Sequence, residues 1–165
     1  MDVFVRVKER LSETYSEYET KIEKHSGCDF FVIVNPFGGE NIKVSTEDGI
    51  IFFFAYQHAH FDYCEDIDDN IDSLIDYINA FISEGMVSYE FLNGKTPLFG
   101  GSRYLDDINA SSGESLLKSF ASDSGAKEFD AKLYETLLNN IKGLNCRCSI
   151  RGWDGKSNKD IDFTL

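Results

Sequence analysis

The chain has 165 residues, with 29 Asp and Glu against 16 Lys and Arg, for a formal net charge of −13. Fourteen Phe and eight Tyr exclude a disordered acidic tail, and a chain of this length buries enough surface to form a core without disulfides or metals. The negative balance argues against nucleic-acid or anionic-membrane binding, where a basic patch supplies most of the affinity.

From its first residues the chain carries a charge every two or three positions and never becomes the apolar stretch of a secretory signal. Its longest apolar run, Ile50 to Tyr56, is far below the ~20 residues of a bilayer span, so a cytoplasmic protein without a membrane span is expected. Phe4, Val7, Leu11, Tyr15, Tyr18 and Ile22 recur at helical spacing and predict a helix from about residue 2 to 24. Asp29 to Val34 reads as a strand ended by Asn35-Pro36 and Gly38-Gly39. Ile42 to Thr46 alternates as a second strand, Glu47-Asp48-Gly49 is a turn, and Ile50 to about His60 is a third strand, giving an antiparallel meander.

Ile67, Ile71, Leu74, Ile75, Ile78 and Ile82 mark the clearest helix, with Asp66, Asp68 and Asp69 at its positive end and Gly85 beyond its last turn. Ser88 to Leu92 predicts a strand, Asn93-Gly94 a hairpin turn, and the return arm runs from Lys95 toward Tyr104, with Pro97 favouring a sheet edge. Residues 106–127 read as a mobile connection with a short helical segment near 115–120. Phe129, Leu133, Leu137, Leu138 and Ile141 form another helical stripe ended by Gly143. Cys146, Cys148 and Ile150, then Ile161, Phe163 and Leu165, alternate as the two arms of a terminal hairpin. The expected fold is one α+β domain over residues 1–165, an antiparallel sheet of a meander plus hairpins packed against several amphipathic helices.

No catalytic signature is complete. In a strand, His58, His60 and Asp62 project to one side, and Cys64 could join them as a metal ligand. The same H-x-H-x-D start occurs in metallo-β-lactamase-like hydrolases, but Tyr63 stands where those continue with His, and His25 is the one further His. Gly38-Gly39 and Gly100-Gly101 lack the spacing and the Lys of a phosphate loop, so they read as turns. Cys28, Cys64, Cys146 and Cys148 read as reduced thiols packed as small hydrophobes. No cofactor is expected.

Charge patterning is more informative. Between Phe61 and Gly94 stand nine acids, Asp62, Glu65, Asp66, Asp68, Asp69, Asp72, Asp76, Glu84 and Glu90, and no Lys or Arg. Asp69, Asp72 and Asp76 stack on the polar side of the Ile-striped helix, an arrangement that local helix stability disfavours. The plain reading is a solubilising face; the functional one is a docking surface for a basic protein. Its members would be Asp62, Tyr63, Glu65, Asp66, Asp69, Asp72, Asp76 and Tyr77, with the tyrosines as desolvated anchors.

A small acidic α+β chain with an N-terminal amphipathic helix, a meander and the carboxylate-rich stretch from Phe52 to Asp76 resembles the immunity proteins of bacterial toxin–immunity and contact-dependent inhibition systems. The resemblance implies a non-enzymatic protein that neutralises a cognate toxin, often a basic nuclease, by covering its active site or a neighbouring surface. It carries no residue role over position by position. The alternatives are a small metal-dependent hydrolase centred on His58, His60 and Asp62, and a regulatory domain that binds a peptide on its sheet edge. Oligomeric state is left open.

Overall fold

A computed structural model describes residues 2–62, 64–108, 115–118 and 131–165. The fold is α+β, with two antiparallel sheets and helices α1 (Val3–Thr14), α2 (Ile67–Ile82) and α3 (Ala131–Ile141), besides a helical turn at 115–118 and a 3-10 turn at Leu105–Asp107. Its residues group into two compact units, Met1–Glu84 with Trp153–Gly155, and Gly85–Gly152 with Lys156–Leu165. Among the described residues no helix is long and apolar enough to cross a membrane.

In the first unit the strands β1 (Thr20–His25), β2 (Cys28–Ile33), β3 (Ile42–Ser45), β4 (Ile51–Phe54) and β5 (Gln57–His60) form a meander in chain order. Alternation sends Phe31, Ile33, Ile42, Val44, Phe52 and Phe54 to one face, where all are buried. Helix α2 covers that face: Phe81 stacks on Phe52 at 5.2 Å and meets Phe54 edge-on at 5.1 Å. Ile71, Leu74 and Ile78 are fully buried, each contributing about 1.5–3 kcal/mol of transfer free energy. Trp153, 2 % exposed, packs against Tyr18 and Phe54. Asn35 fixes the loop after β2, its amide donating to Glu40 O and Trp153 O while its Oδ1 accepts from Phe37 N.

Two expectations for this unit need correction. The helix expected over 2–24 stops at Thr14, where the Tyr15 N–H closes the last turn on Leu11 O at 2.9 Å. Thr20–His25 instead pairs with β2 through a Ser26-Gly27 turn in which both residues have positive φ, as a type I′ hairpin turn requires. Ile22, assigned to the helical stripe, stands 43 % exposed on β1. Tyr15 and Tyr18 mimicked helical spacing because both pack against aromatics outside the helix. The single strand expected over Ile50 to His60 is also two strands, joined by Ala55-Tyr56 with Ala55 at φ 49°. Neither residue is a turn former, so the sequence carried no signal there.

In the second unit β6 (Met86–Asn93), β7 (Thr96–Tyr104), β8 (Asn145–Gly152) and β9 (Lys159–Thr164) stand in the order β7-β6-β8-β9. Pro97 lies on the edge strand β7, as its missing N–H requires. Val87, Tyr89, Phe91, Cys148 and Ile150 form the core of one face with Ile108 and Leu116. Leu117, Leu137, Ile141 and Cys146 form a second cluster. Gly100 and Gly101, read as a turn, lie within β7 opposite Glu90 and Tyr89. A Cβ at Gly101 would come 2.9 Å from the Tyr89 hydroxyl and one at Gly100 2.7 Å from the Tyr89 carbonyl oxygen, so both glycines serve close strand approach. Residues 109–114 and 119–130, most of the connection expected to be mobile, and Phe129 of the last helical stripe lie outside the described residues.

Candidate interaction surface

The acidic segment is held in place by a buried amide. Asn70, 6 % exposed, accepts from Cys64 N and donates to Cys64 O, both at 2.9 Å, which ties the 61–66 loop to the first turn of α2. Asp66 caps the helix by accepting from Asp68 N at 2.8 Å, and Asp68 and Asp69 occupy the first turn, where the helix dipole favours carboxylates. The apolar stripe then turns Asp69, Asp72 and Asp76 outward, and all three are exposed.

Helix α1 lies beside α2. Arg6 pairs with Asp68, Arg10 with Asp72 at 2.5 Å, and the Tyr15 hydroxyl donates to Asn79 Oδ1 at 2.9 Å. The contacts advance in the same order on both helices, so α1 and α2 run parallel. Burial, with the Asp76 carboxylate second, pushes the Tyr15 phenol well above its ordinary value and keeps it a neutral donor. Between the helices runs a groove of about 420 Å³ lined by Arg6, Glu9, Arg10, Glu13 and Asp68. This changes the charge pattern read from the 61–94 segment alone: Asp68 and Asp72 have partners contributed from 62 residues away. The matched four-residue spacing of two Arg and two Asp was visible in the sequence, but nothing local assigns such pairs to each other.

Asp69 and Asp76 have no cation within ion-pair distance among the described residues, and Glu65, Asp66 and Asp62 are likewise exposed. Asp62 leans over the turn before β4, where a Cβ at Gly49 would come 3.1 Å from its Oδ2. Tyr77 does not stand out as an anchor. Its ring packs against Phe52, Phe61 and Phe81, and its hydroxyl takes a hydrogen bond from the Gln57 amide at 3.3 Å. It falls on the α2 face that meets the sheet, which the charge pattern did not weigh. Tyr63 lies outside the described residues.

His58 and His60 share the solvent face of β5 with ring centroids 5.7 Å apart, as their spacing requires. Asp62 and Cys64 do not converge with them: among the described residues no three His, Cys, Asp or Glu side chains are grouped to hold a metal ion. Comparison with protein-family models, with curated proteins and with solved structures finds no match to this chain.

Proposed function

We propose that this protein is a non-enzymatic binding protein whose acidic α1–α2 face docks on a basic surface of a partner protein, with immunity to a cognate bacterial toxin as its specific form. One observation supports the reading most. The face presents Glu9, Glu13, Asp68, Asp69, Asp72 and Asp76 around two guanidiniums, those of Arg6 and Arg10, and Asp69 and Asp76 are left as exposed charge on a rigid helix. The dipole favours Asp69 in the first turn, but Asp76 in the third turn gains nothing from it, whereas both, fixed on a packed element, steer a cationic partner and compete for a site built for phosphate. Buried Val7, Leu11 and Tyr15 anchor α1, and the two ion pairs match its register to α2, so the charges are already ordered before binding.

The test uses the partner captured from native cells, identified, and purified. Replacing Glu65, Asp69 and Asp76 with Gln, Asn and Asn leaves both Arg–Asp pairs intact. The association rate is expected to fall about tenfold at low salt, with a shallower dependence on ionic strength. A control that removes Asp29, Glu40 and Asp48, three exposed acids elsewhere in the first unit, should change it less than about twofold. If both variants associate like wild type, the carboxylates serve solubility alone and the reading fails.

A further inference from the structure

On the solvent face of the first sheet, alternation places Phe53 beside His58 and Ile51 beside His60. The His58 ring stacks on Phe53 at 6.3 Å and an interplanar angle of 30°, and Phe53 in turn meets Phe30 at 5.9 Å, so one imidazole is held by an aromatic row. Two imidazoles bound to one tetrahedral zinc ion at roughly 2.0–2.1 Å place their ring centroids about 5 Å apart. His58 and His60 stand at 5.7 Å, so a small rotation of exposed rings closes the chelate.

Two ligands do not complete a zinc site, and no third side chain of the described residues reaches this one. The strand itself indicates where the others come from. β5 is the last strand of its sheet. The Phe61 N–H donates to Ile50 O at 2.8 Å, which sets the alternation along β5: the backbone groups of Ala59 turn toward Phe52 on β4, and those of His58 and His60 turn to the open edge. The His58 carbonyl accepts the amide of Gln57 at 2.8 Å, a side-chain substitute for a strand partner.

We propose that His58 and His60 form half of a zinc site completed by the same two residues of a second copy, paired antiparallel along β5 about a two-fold axis at Ala59. In that register His58 of one copy faces His60 of the other, their outward N–H and C=O groups pair once the Gln57 amide gives up the His58 carbonyl, and all four imidazoles lie on one face of the joined sheet. Four nitrogen ligands satisfy tetrahedral Zn²⁺, and the isologous symmetry closes the assembly at a dimer. The site has no open coordination position, so it is structural rather than catalytic, and it is independent of the acidic face.

Zinc chloride is titrated calorimetrically into protein free of any His-tag, and sedimentation velocity is run with and without the metal. The expected result is one zinc per two chains and a monomer that becomes a dimer only with zinc. Cobalt in its place should give the visible absorption of tetrahedral coordination. His58→Asn and His60→Asn should each weaken uptake at least about tenfold and abolish the zinc-dependent dimer, while His25→Asn on the far edge strand changes neither. Both variants alter exposed side chains, and circular dichroism checks that each remains folded. One zinc per monomer, a dimer indifferent to zinc, uptake unchanged in the variants, or no uptake at about 100 μM metal would each overturn the proposal.

Discussion

At the scale of single residues the four cysteines separate by environment. Cys146 and Cys148 are buried on β8, and burial raises both thiols, that of Cys148 to about 12. Cys28 donates to Glu47 Oε2 at 2.5 Å, and that bond, ahead of burial and nearby acids, lifts its thiol above the ordinary value. Cys64 is exposed. Because the thiolate is the reactive form, an aromatic disulfide reagent at pH 8 should label Cys64 first and Cys28 more slowly, and reach Cys146 and Cys148 only on unfolding. Four thiols reacting together in native protein would mean that the β8 face opens to solvent. The reading of all four as thiols packed as small hydrophobes therefore holds for the β8 pair and fails for exposed Cys64, while half-buried Cys28 bonds a carboxylate instead. A strand that alternates Cys-Arg-Cys-Ser-Ile declares its inward face, whereas a cysteine in a loop declares nothing.

At the scale of elements, the β4–β5 hairpin stores backbone strain. Ala55 sits at φ 49°, a region where a Cβ costs roughly 1–2 kcal/mol, and a two-residue connection favours turns with positive φ at this first position. Glycine pays no such cost but loses about 0.5–1 kcal/mol more conformational entropy on folding. Ala55→Gly is thus expected to be neutral to stabilising, by up to about 1 kcal/mol, and Ala55→Val to destabilise by more than about 1 kcal/mol. Urea denaturation of the two variants decides it, and the reverse order would place the turn elsewhere. The α1–α2 pair shows a different element-scale effect. Two exposed ion pairs contribute little to stability individually, but they repeat with the helical period and so select the parallel register of the helices.

For the molecule as a whole the relevant quantity is the net charge of −13. Unbalanced like charge destabilises a compact state, and salt screens it. Salt also weakens attractive pairs such as Arg10–Asp72 and Arg147–Asp162, but these two lie at the surface, where each is worth about 0–1 kcal/mol. Repulsion is the larger effect, so raising NaCl from about 20 to 300 mM should lift the melting temperature by about 3 °C. A fall instead would show that the ion pairs outweigh the self-repulsion. The same field would hasten encounter with a cationic partner at low salt, which links this measurement to the proposed function.

Sequence by itself determined the elements whose own periodicity is strong. Helix α2 is legible because six Ile and Leu positions fall on one stripe between an Asp cap and a glycine, and the terminal hairpin because its arms alternate over a polar turn. The α+β class and the outward projection of Asp69, Asp72 and Asp76 follow from the same periodicities. What only the tertiary structure decided depends on partners distant in the chain. Tyr15 and Tyr18 looked helical until their contacts with Asn79 and Trp153 were seen, and Ile50 to His60 looked like one strand until pairing folded it at Ala55. The acidic segment looked unbalanced until Arg6 and Arg10 were placed against it. Each of these is a contact between residues far apart in sequence, and local spacing carries no information about which distant side chain will neutralise a charge or cover a ring.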